Sequence, residues 1–341
     1  MQKYNKILLN LQIVTMMIKK AILGLLFIAA ALFSTTGCIK DVTTYQYMKG
    51  KISFDIPEYI YTGDVVYLEA DGITAPENPK WGWVITKIQT DTLYSPSIVV
   101  KFPDTPAEYV VKALAYHPDY IVESARKNVT TVDTTHMTGS LKGLPYDSQA
   151  TITDSRDRRA YRWAHIGSLD WFTENLAWEG AGYVYASSEV LNHVFGRHYT
   201  WEEATESDLC PEGWRLPDNA DWEDLGKAIC GSDVEFDKIW EDAASKVTPD
   251  AYFNGERLWP FSVNNTHETA IDWNPLPCGY MQTGDGLFYG LKTYGMWWSA
   301  TEYSSSEAYY RYIYWDSADF RPGFTSKSDI ALSVRCVRGN L

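Results

Sequence analysis

Between residues 49 and 133 apolar and polar positions alternate in short runs. Lys51-Ile52-Ser53-Phe54-Asp55-Ile56 is one of them. Asp64 to Ala70, Lys80 to Thr86, Ser97 to Phe102, Tyr109 to Tyr116 and Ile121 to Val132 continue the series. A period of two puts every second side chain on one face, which marks half-buried strands. Turn-forming residues separate the runs, as at Asp71-Gly72 and Ala75-Pro76-Glu77-Asn78-Pro79. Short strands at this spacing predict a β-sandwich over 49–133, with Trp81 or Trp83 as its core aromatic. No cysteine falls in this stretch, so such a core must hold by packing alone.

The rhythm then changes. Residues 134–146 are rich in Thr, Gly, Ser and Pro with little periodicity, and predict a linker. From 147 to 341 strand and helix patterns mix, which predicts an α+β domain. Ala150 to Asp154 and Ala160 to Ile166 flank the polar turn Ser155-Arg156-Asp157-Arg158 as a hairpin, and Leu169 to Leu176 extends the sheet. Thr200-Trp201-Glu202-Glu203 has capping-box spacing and opens a helix expected to end near Asp208. Asp218, after Pro217, caps a second helix. Its apolar positions Trp222, Leu225 and Ile229 are three and four apart and share one face. A third short helix is expected over Phe236 to Ser245, and strands return from Gly279 to Val337. Twelve of the 14 Trp lie after residue 140, so the core of this domain is the aromatic one.

Residues 1–38 break both patterns. Lys19-Lys20 precedes an uncharged apolar run of 13 residues, Ala21 to Phe33. That length suits a signal-peptide core and is short of the roughly 20 residues of a membrane helix. Thr35-Thr36-Gly37-Cys38 follows and resembles the lipobox of bacterial lipoproteins, with Thr35 where Leu is usual. The resemblance implies cleavage before Cys38 and a lipid on its sulfur and new amino end. Met17 serves as well as Met1 as a start. Residues 39–48 then form a tether. Each buried CH2 of an acyl chain contributes about 0.8 kcal/mol to membrane attachment. The expected location is the outer membrane, on its periplasmic or its surface face.

Composition narrows the classes. Apolar residues at 45% and charged residues at 22% are ordinary for globular proteins and exclude a disordered tail, a collagen or a multi-span membrane protein. Net charge is −14, and Lys3, Lys6, Lys19 and Lys20 all lie in the leader, so the exported part is more acidic still. Such a surface repels phosphate backbones and argues against a nucleic-acid partner. With Cys38 lipidated, Cys210, Cys230, Cys278 and Cys336 remain. Disulfides are permitted in an exported chain, and four cysteines allow three pairings between which spacing does not choose. No C-x-x-C occurs.

Several motifs fall in order along the second domain. They are Ala150-Thr151-Ile152-Thr153-Asp154, Trp171-Phe172-Thr173-Glu174-Asn175-Leu176, Gly196-Arg197-His198-Tyr199-Thr200-Trp201 and Cys210-Pro211-Glu212-Gly213-Trp214-Arg215-Leu216-Pro217. Trp297-Trp298-Ser299-Ala300-Thr301-Glu302, Ala308-Tyr309-Tyr310-Arg311 and Ser333-Val334-Arg335-Cys336-Val337 close the series. Together they resemble the Fibrobacter succinogenes major paralogous domain, over about 200 residues. Such domains occur on secreted and lipid-anchored bacterial proteins and carry no settled activity. Their pattern is similar to C-type-lectin-like folds, an analogy that does not decide function. It implies one bridge, from the Cys after the first helix to the Cys of the last strand, here Cys210 to Cys336. Closing a loop of that length contributes roughly 5 kcal/mol in the chain-entropy model. Cys230 and Cys278 are left to pair with each other or stay buried thiols. Residues 49–133 resemble Ig-like or polycystic-kidney-disease-like modules at the level of pattern.

Signals of catalysis are missing. His117, His136, His165, His193, His198 and His267 form no metal motif, and no nucleophile elbow or phosphate loop occurs. The calcium-binding lectin signatures Glu-Pro-Asn, Gln-Pro-Asp and Trp-Asn-Asp are absent after residue 140. No cofactor and no enzyme activity are expected. The segment between the helices and the Trp297 strand is rich in aromatics and poor in periodicity. Trp259, Trp273, Tyr280, Phe288 and Tyr294, with Asn274, are the candidate ligand contacts, through ring stacking and nearby polar groups. The expected role is adhesion or capture of a glycan or a surface protein by a lipid-anchored envelope protein. The alternative is a structural component of a surface appendage.

Overall fold

The computed structural model describes residues 45–88, 95–135, 139–145, 149–206, 208–262 and 271–339. The leader, Cys38 and the start of the tether lie outside them. The described parts of one unit are residues 45–47 and 119–121, where Gln46 bridges Tyr120 in parallel. The other unit holds everything from Met48 onward except residues 119–121.

The protein is mostly β. Its N-terminal strands are β1 (Lys49–Ser53), β2 (Tyr59–Tyr61), β3 (Val65–Glu69), β4 (Asp71–Ala75), β5 (Lys80–Ile85), β6 (Ser97–Lys101), β7 (Ala107–Tyr116) and β8 (Glu123–Val132). They form a four-stranded sheet, β2-β8-β7-β5, and two pairs, β1-β4 and β3-β6. One core joins them, in which Trp83 is buried and meets Phe54 edge-on at 5.2 Å. The alternation on β7 is regular: Tyr109, Val111, Ala113 and Ala115 all point inward. The turn expected at Asp71-Gly72 is instead the start of β4. Gly50 and Gly72 sit where β1 and β4 cross irregularly, and a Cβ on Gly50 would lie 1.9 Å from the Gly72 carbonyl. Both have positive φ, so only glycine fits this approach without strain.

The linker expected over 134–146 is partly core. Ser140, Leu141 and Leu144 are buried, and β9 (Leu141–Lys142) pairs with a later strand. Val132, at the end of β8, belongs to the same hydrophobic cluster as Trp222 and Trp297, and Tyr59 and Tyr61 pack against it. The apolar residues of the segment decide this, because each buried one contributes about 2 kcal/mol.

The C-terminal strands continue with β10 (Ala150–Thr153), β11 (Ala160–Ile166), β12 (Leu169–Phe172), β13 (His198–Thr200), β14 (Tyr252–Phe253) and β15 (Glu256–Arg257). β16 (Cys278–Gln282), β17 (Leu287–Leu291), β18 (Tyr294–Glu302), β19 (Glu307–Tyr314), β20 (Phe320–Ser326), β21 (Ile330–Ser333) and β22 (Val337–Gly339) complete the set. The main sheet runs β17-β16-β21-β18-β19-β20, and β13 joins it on β21. A second sheet runs β10-β11-β12-β22 and a third β15-β14-β9. Trp297 and Trp298, adjacent on β18, enter different hydrophobic clusters, as a period of two requires.

Among the described residues, three α-helices accompany the sheets: α1 (Glu189–Phe195), α2 (Trp201–Ala204) and α3 (Asn219–Cys230). The capping box at Thr200 and Glu203 is formed, and Asp218 caps α3 with Asp221 in the reciprocal place. Trp222, Leu225 and Ile229 are all buried. α2 stops at Ala204 rather than near Asp208, since the Thr205 hydroxyl donates back to the Trp201 and Glu202 carbonyls. The helix expected over Phe236 to Ser245 does not form. Trp240 instead exchanges two main-chain hydrogen bonds with Phe320, each 3.0 Å.

Candidate functional site

The sheet register builds a row of tyrosines. Tyr294 lies opposite Tyr314, Met296 opposite Tyr312 and Trp298 opposite Tyr310, so all six side chains share one face. On one side Ile330 lies on the next strand, β21, with Gln282 of β16 opposite it, and on the other Thr325 on β20 lies opposite Ala308. Tyr280, Gln282, Tyr294, Met296, Tyr310, Tyr312, Thr325 and Ile330 line a cleft of about 380 Å3 on this face.

Two glycines let the rings lie down on the sheet. A Cβ at Gly323 would come within 2.4 Å of the Tyr310 ring, and one at Gly290 within 2.7 Å of the Tyr294 ring. The rings also hold one another: Tyr280 meets Tyr294 edge-on at 6.3 Å, and Tyr310 meets Tyr312 at 5.8 Å. Among the described residues, none of the four tyrosine hydroxyls of the cleft has a hydrogen-bond partner. Burial raises the pKa of Tyr294, and that of Tyr310 to about 12. These phenols therefore stay protonated at neutral pH and present O–H donors. The tyrosines are the only ionisable side chains in the lining, so the cleft is neutral.

Below the sheet lies a buried polar cluster. Arg335 is fully buried and donates from Nε to Asn175 Oδ1 (2.7 Å) and from Nη1 to the Phe172 and Trp273 carbonyls (3.2 and 2.5 Å). Its Nη2 donates to the Asn274 carbonyl at 2.8 Å. Its guanidinium sits 4.7 Å from the Trp273 ring centre. Trp297 Nε1 donates to the same Asn175 oxygen at 2.9 Å. His198 is enclosed beside this cluster, with Nε2 against the Cys278 and Gly279 carbonyls. Burial pulls its pKa down to about 4, so it is neutral at neutral pH.

The cysteines resolve as follows. Cys210 and Cys336 are bonded, with Cα atoms 5.9 Å apart. Cys230 and Cys278 are unpaired, which removes the second bridge as an option. Cys278 is buried at the start of β16 and contacts Ser333 Oγ at 3.0 Å. Burial pushes its pKa up, so it remains a thiol out of reach of solvent.

The six candidate ligand contacts separate. Tyr280 and Tyr294 line the cleft. Phe288 points elsewhere, against Tyr185 at 5.1 Å and His198 at 5.6 Å. Trp259, Trp273 and Asn274 are about 1% exposed or less and cannot touch a ligand. Trp273 is a hub of the core, with Trp297 at 4.8 Å, Phe320 at 5.4 Å and Trp222 at 5.7 Å. Trp259 donates its Nε1–H to the Pro275 carbonyl at 2.9 Å. Burial wins for these two rings because each can place its large apolar area against other aromatics. Gln282, Tyr310, Tyr312 and Thr325 were not expected as contacts. The strand alternation of Tyr310 and Tyr312 about Arg311 is the signal that could have found those two, whereas Gln282 and Thr325 reach the cleft through strand pairing.

Among the described residues, no group of three or more His, Cys, Asp or Glu is placed to hold a metal ion. No curated protein and no solved structure matches the chain. The sequence does match the Fibrobacter succinogenes major domain over residues 164–338, which includes the bridge, the buried Arg335 cluster and all of the tyrosine cleft. The chain therefore belongs to the Fibrobacter succinogenes major domain (Fib_succ_major) family.

Proposed function

We propose that the protein is a non-catalytic binding protein of the bacterial cell envelope that takes a neutral saccharide in the tyrosine cleft. The observation that carries this is the set of four converging phenols with unpartnered hydroxyls in an uncharged cleft. A sugar presents C–H faces that pack on aromatic rings and hydroxyls at its edges that meet donors and acceptors. An acidic glycan is disfavoured by the net charge of −14. The lectin-like analogy agrees with this role, and the N-terminal strands serve as an Ig-like spacer.

The test is a glycan array probed with the full chain in detergent, followed by calorimetry on the saccharide retained. Tyr294→Ala is expected to weaken binding about tenfold. Tyr294→Phe, which keeps the ring, should weaken it less. Melting temperature should stay nearly fixed, because Tyr294 is half-buried at the rim. An unchanged affinity in Tyr294→Ala would overturn the assignment. The exposed row Val65, Tyr67 and Val99 on β3 and β6 favours a second reading, a subunit of a surface appendage. A blank array together with assembly into polymers would support that reading instead.

The lipid anchor completes the proposal. Cys38 follows the 13-residue apolar run and Gly37. Cys38→Ala is expected to move the protein from the membrane to the soluble fraction on cell fractionation. Retention of the variant in the membrane would refute the anchor.

A further inference from the structure

The tyrosine cleft continues into other rings at both ends. On one side Tyr280 stacks on Tyr289 with centroids 5.7 Å apart and planes 26° from parallel. On the other, Tyr294 meets Tyr314 at 4.9 Å, and Tyr314 meets Trp315 at 6.2 Å. Trp315 is 41% exposed, although a hydrogen bond from its main-chain N–H to the Thr293 carbonyl (2.8 Å) holds its backbone. Tyr289 is fixed in turn by its hydroxyl, which donates to Asp285 Oδ2 at 2.6 Å. Five aromatic rings thus form an unbroken line across the sheet, anchored at each end, with the uncharged cleft beside its middle.

We infer that the ligand is an extended neutral oligosaccharide, bound along this line over more than one subsite. The cleft holds one sugar ring, and the Tyr314–Trp315 shelf holds a neighbouring one. The inference rests on the saccharide reading above and deepens it. A single sugar ring covers only the cleft and leaves Trp315 unused. A chain of sugars repeats the same C–H face at each unit and so meets successive rings. Rings already held by packing lose little rotamer freedom on binding, so added contact area converts well into affinity.

The test is calorimetry of the full chain in detergent against neutral cello-, xylo-, manno- and malto-oligosaccharides, each as a series from mono- to hexasaccharide. Affinity for one series is expected to rise about tenfold or more with length and then level off. Trp315→Ala should lower hexasaccharide affinity about tenfold and flatten that rise, with an unchanged melting temperature as the control for folding. Binding that is equally tight for mono- and hexasaccharide, or a length dependence untouched by Trp315→Ala, would overturn the extended site and leave the saccharide reading intact. Absence of binding to any neutral saccharide, or preference for a peptide, would overturn both.

Discussion

Loss of the Cys210–Cys336 bridge should lower the melting temperature of the protein by roughly 10 to 20 °C. The bond closes 126 residues, more than a third of the chain. In the chain-entropy model a loop of that size contributes about 5 kcal/mol by restricting the unfolded state. At about 2 to 4 °C per kcal/mol for a domain of this size, that gives the stated shift. The bridge also has a structural place. Cys210 follows α2, and Cys336 lies just before β22, with its carbonyl accepting from the Phe172 main-chain N–H at 2.9 Å. It therefore ties the chain between the two helices to the last strand. Replacing both residues by Ala avoids burying a new hydroxyl, since both sit in one hydrophobic cluster. Calorimetric melting of Cys210→Ala/Cys336→Ala beside the parent, with and without reductant, measures the effect. Equal melting temperatures, or a peptide map linking Cys210 to any other cysteine, would show the assignment to be wrong.

Arg335→Ala is expected to destabilise the domain by about 3 to 5 kcal/mol, because several buried acceptors lose a charged donor and a large side chain is removed from the core. The guanidinium serves the carbonyls of Phe172, Trp273 and Asn274 and the side-chain oxygen of Asn175. Its removal leaves all four of those acceptors without this donor and a cavity against Trp273. Arg335→Lys keeps the charge but has one point donor in place of a planar fork, so it should recover only part of the loss. Denaturant titration of parent, Ala and Lys variants checks the order. A midpoint in Arg335→Ala equal to that of the parent would remove the central structural role given to this residue. Arg311, which lies opposite Trp297 across the β18–β19 pair, makes a related arrangement. It donates to the Phe236, Lys238 and Phe320 carbonyls and lies over the Trp240 ring at 3.5 Å. Both arginines fall in motifs that carried the family resemblance, and both hold irregular segments to strands through main-chain oxygens.

What the chain determines locally was legible in its residues. Capping depends on side chains three positions apart, so Thr200 with Glu203 and Asp218 with its helix could be named directly. Strand alternation and the stripe of Trp222, Leu225 and Ile229 depend on a fixed local period, and they also held. The Cys210–Cys336 pair was reachable only through the family resemblance, because spacing leaves three pairings open. Tertiary structure decided the rest. The helix expected from Phe236 lost to a strand-like bridge between Trp240 and Phe320, a contact 80 residues away in the chain. Helix α1, with five of its seven residues buried, makes no side-chain cap bond at its start, because its N-cap Ser188 donates to the Tyr59 carbonyl instead, and it owes its form to packing. Above all, an aromatic residue carries no mark of whether it is core or surface. Trp273 and Tyr280 are seven positions apart, yet one is a hub of the interior and the other faces an open cleft. Sheet register, together with the small residues Gly290 and Gly323 that give two tyrosine rings a place to lie, makes that choice, and register is a property of strands distant in sequence.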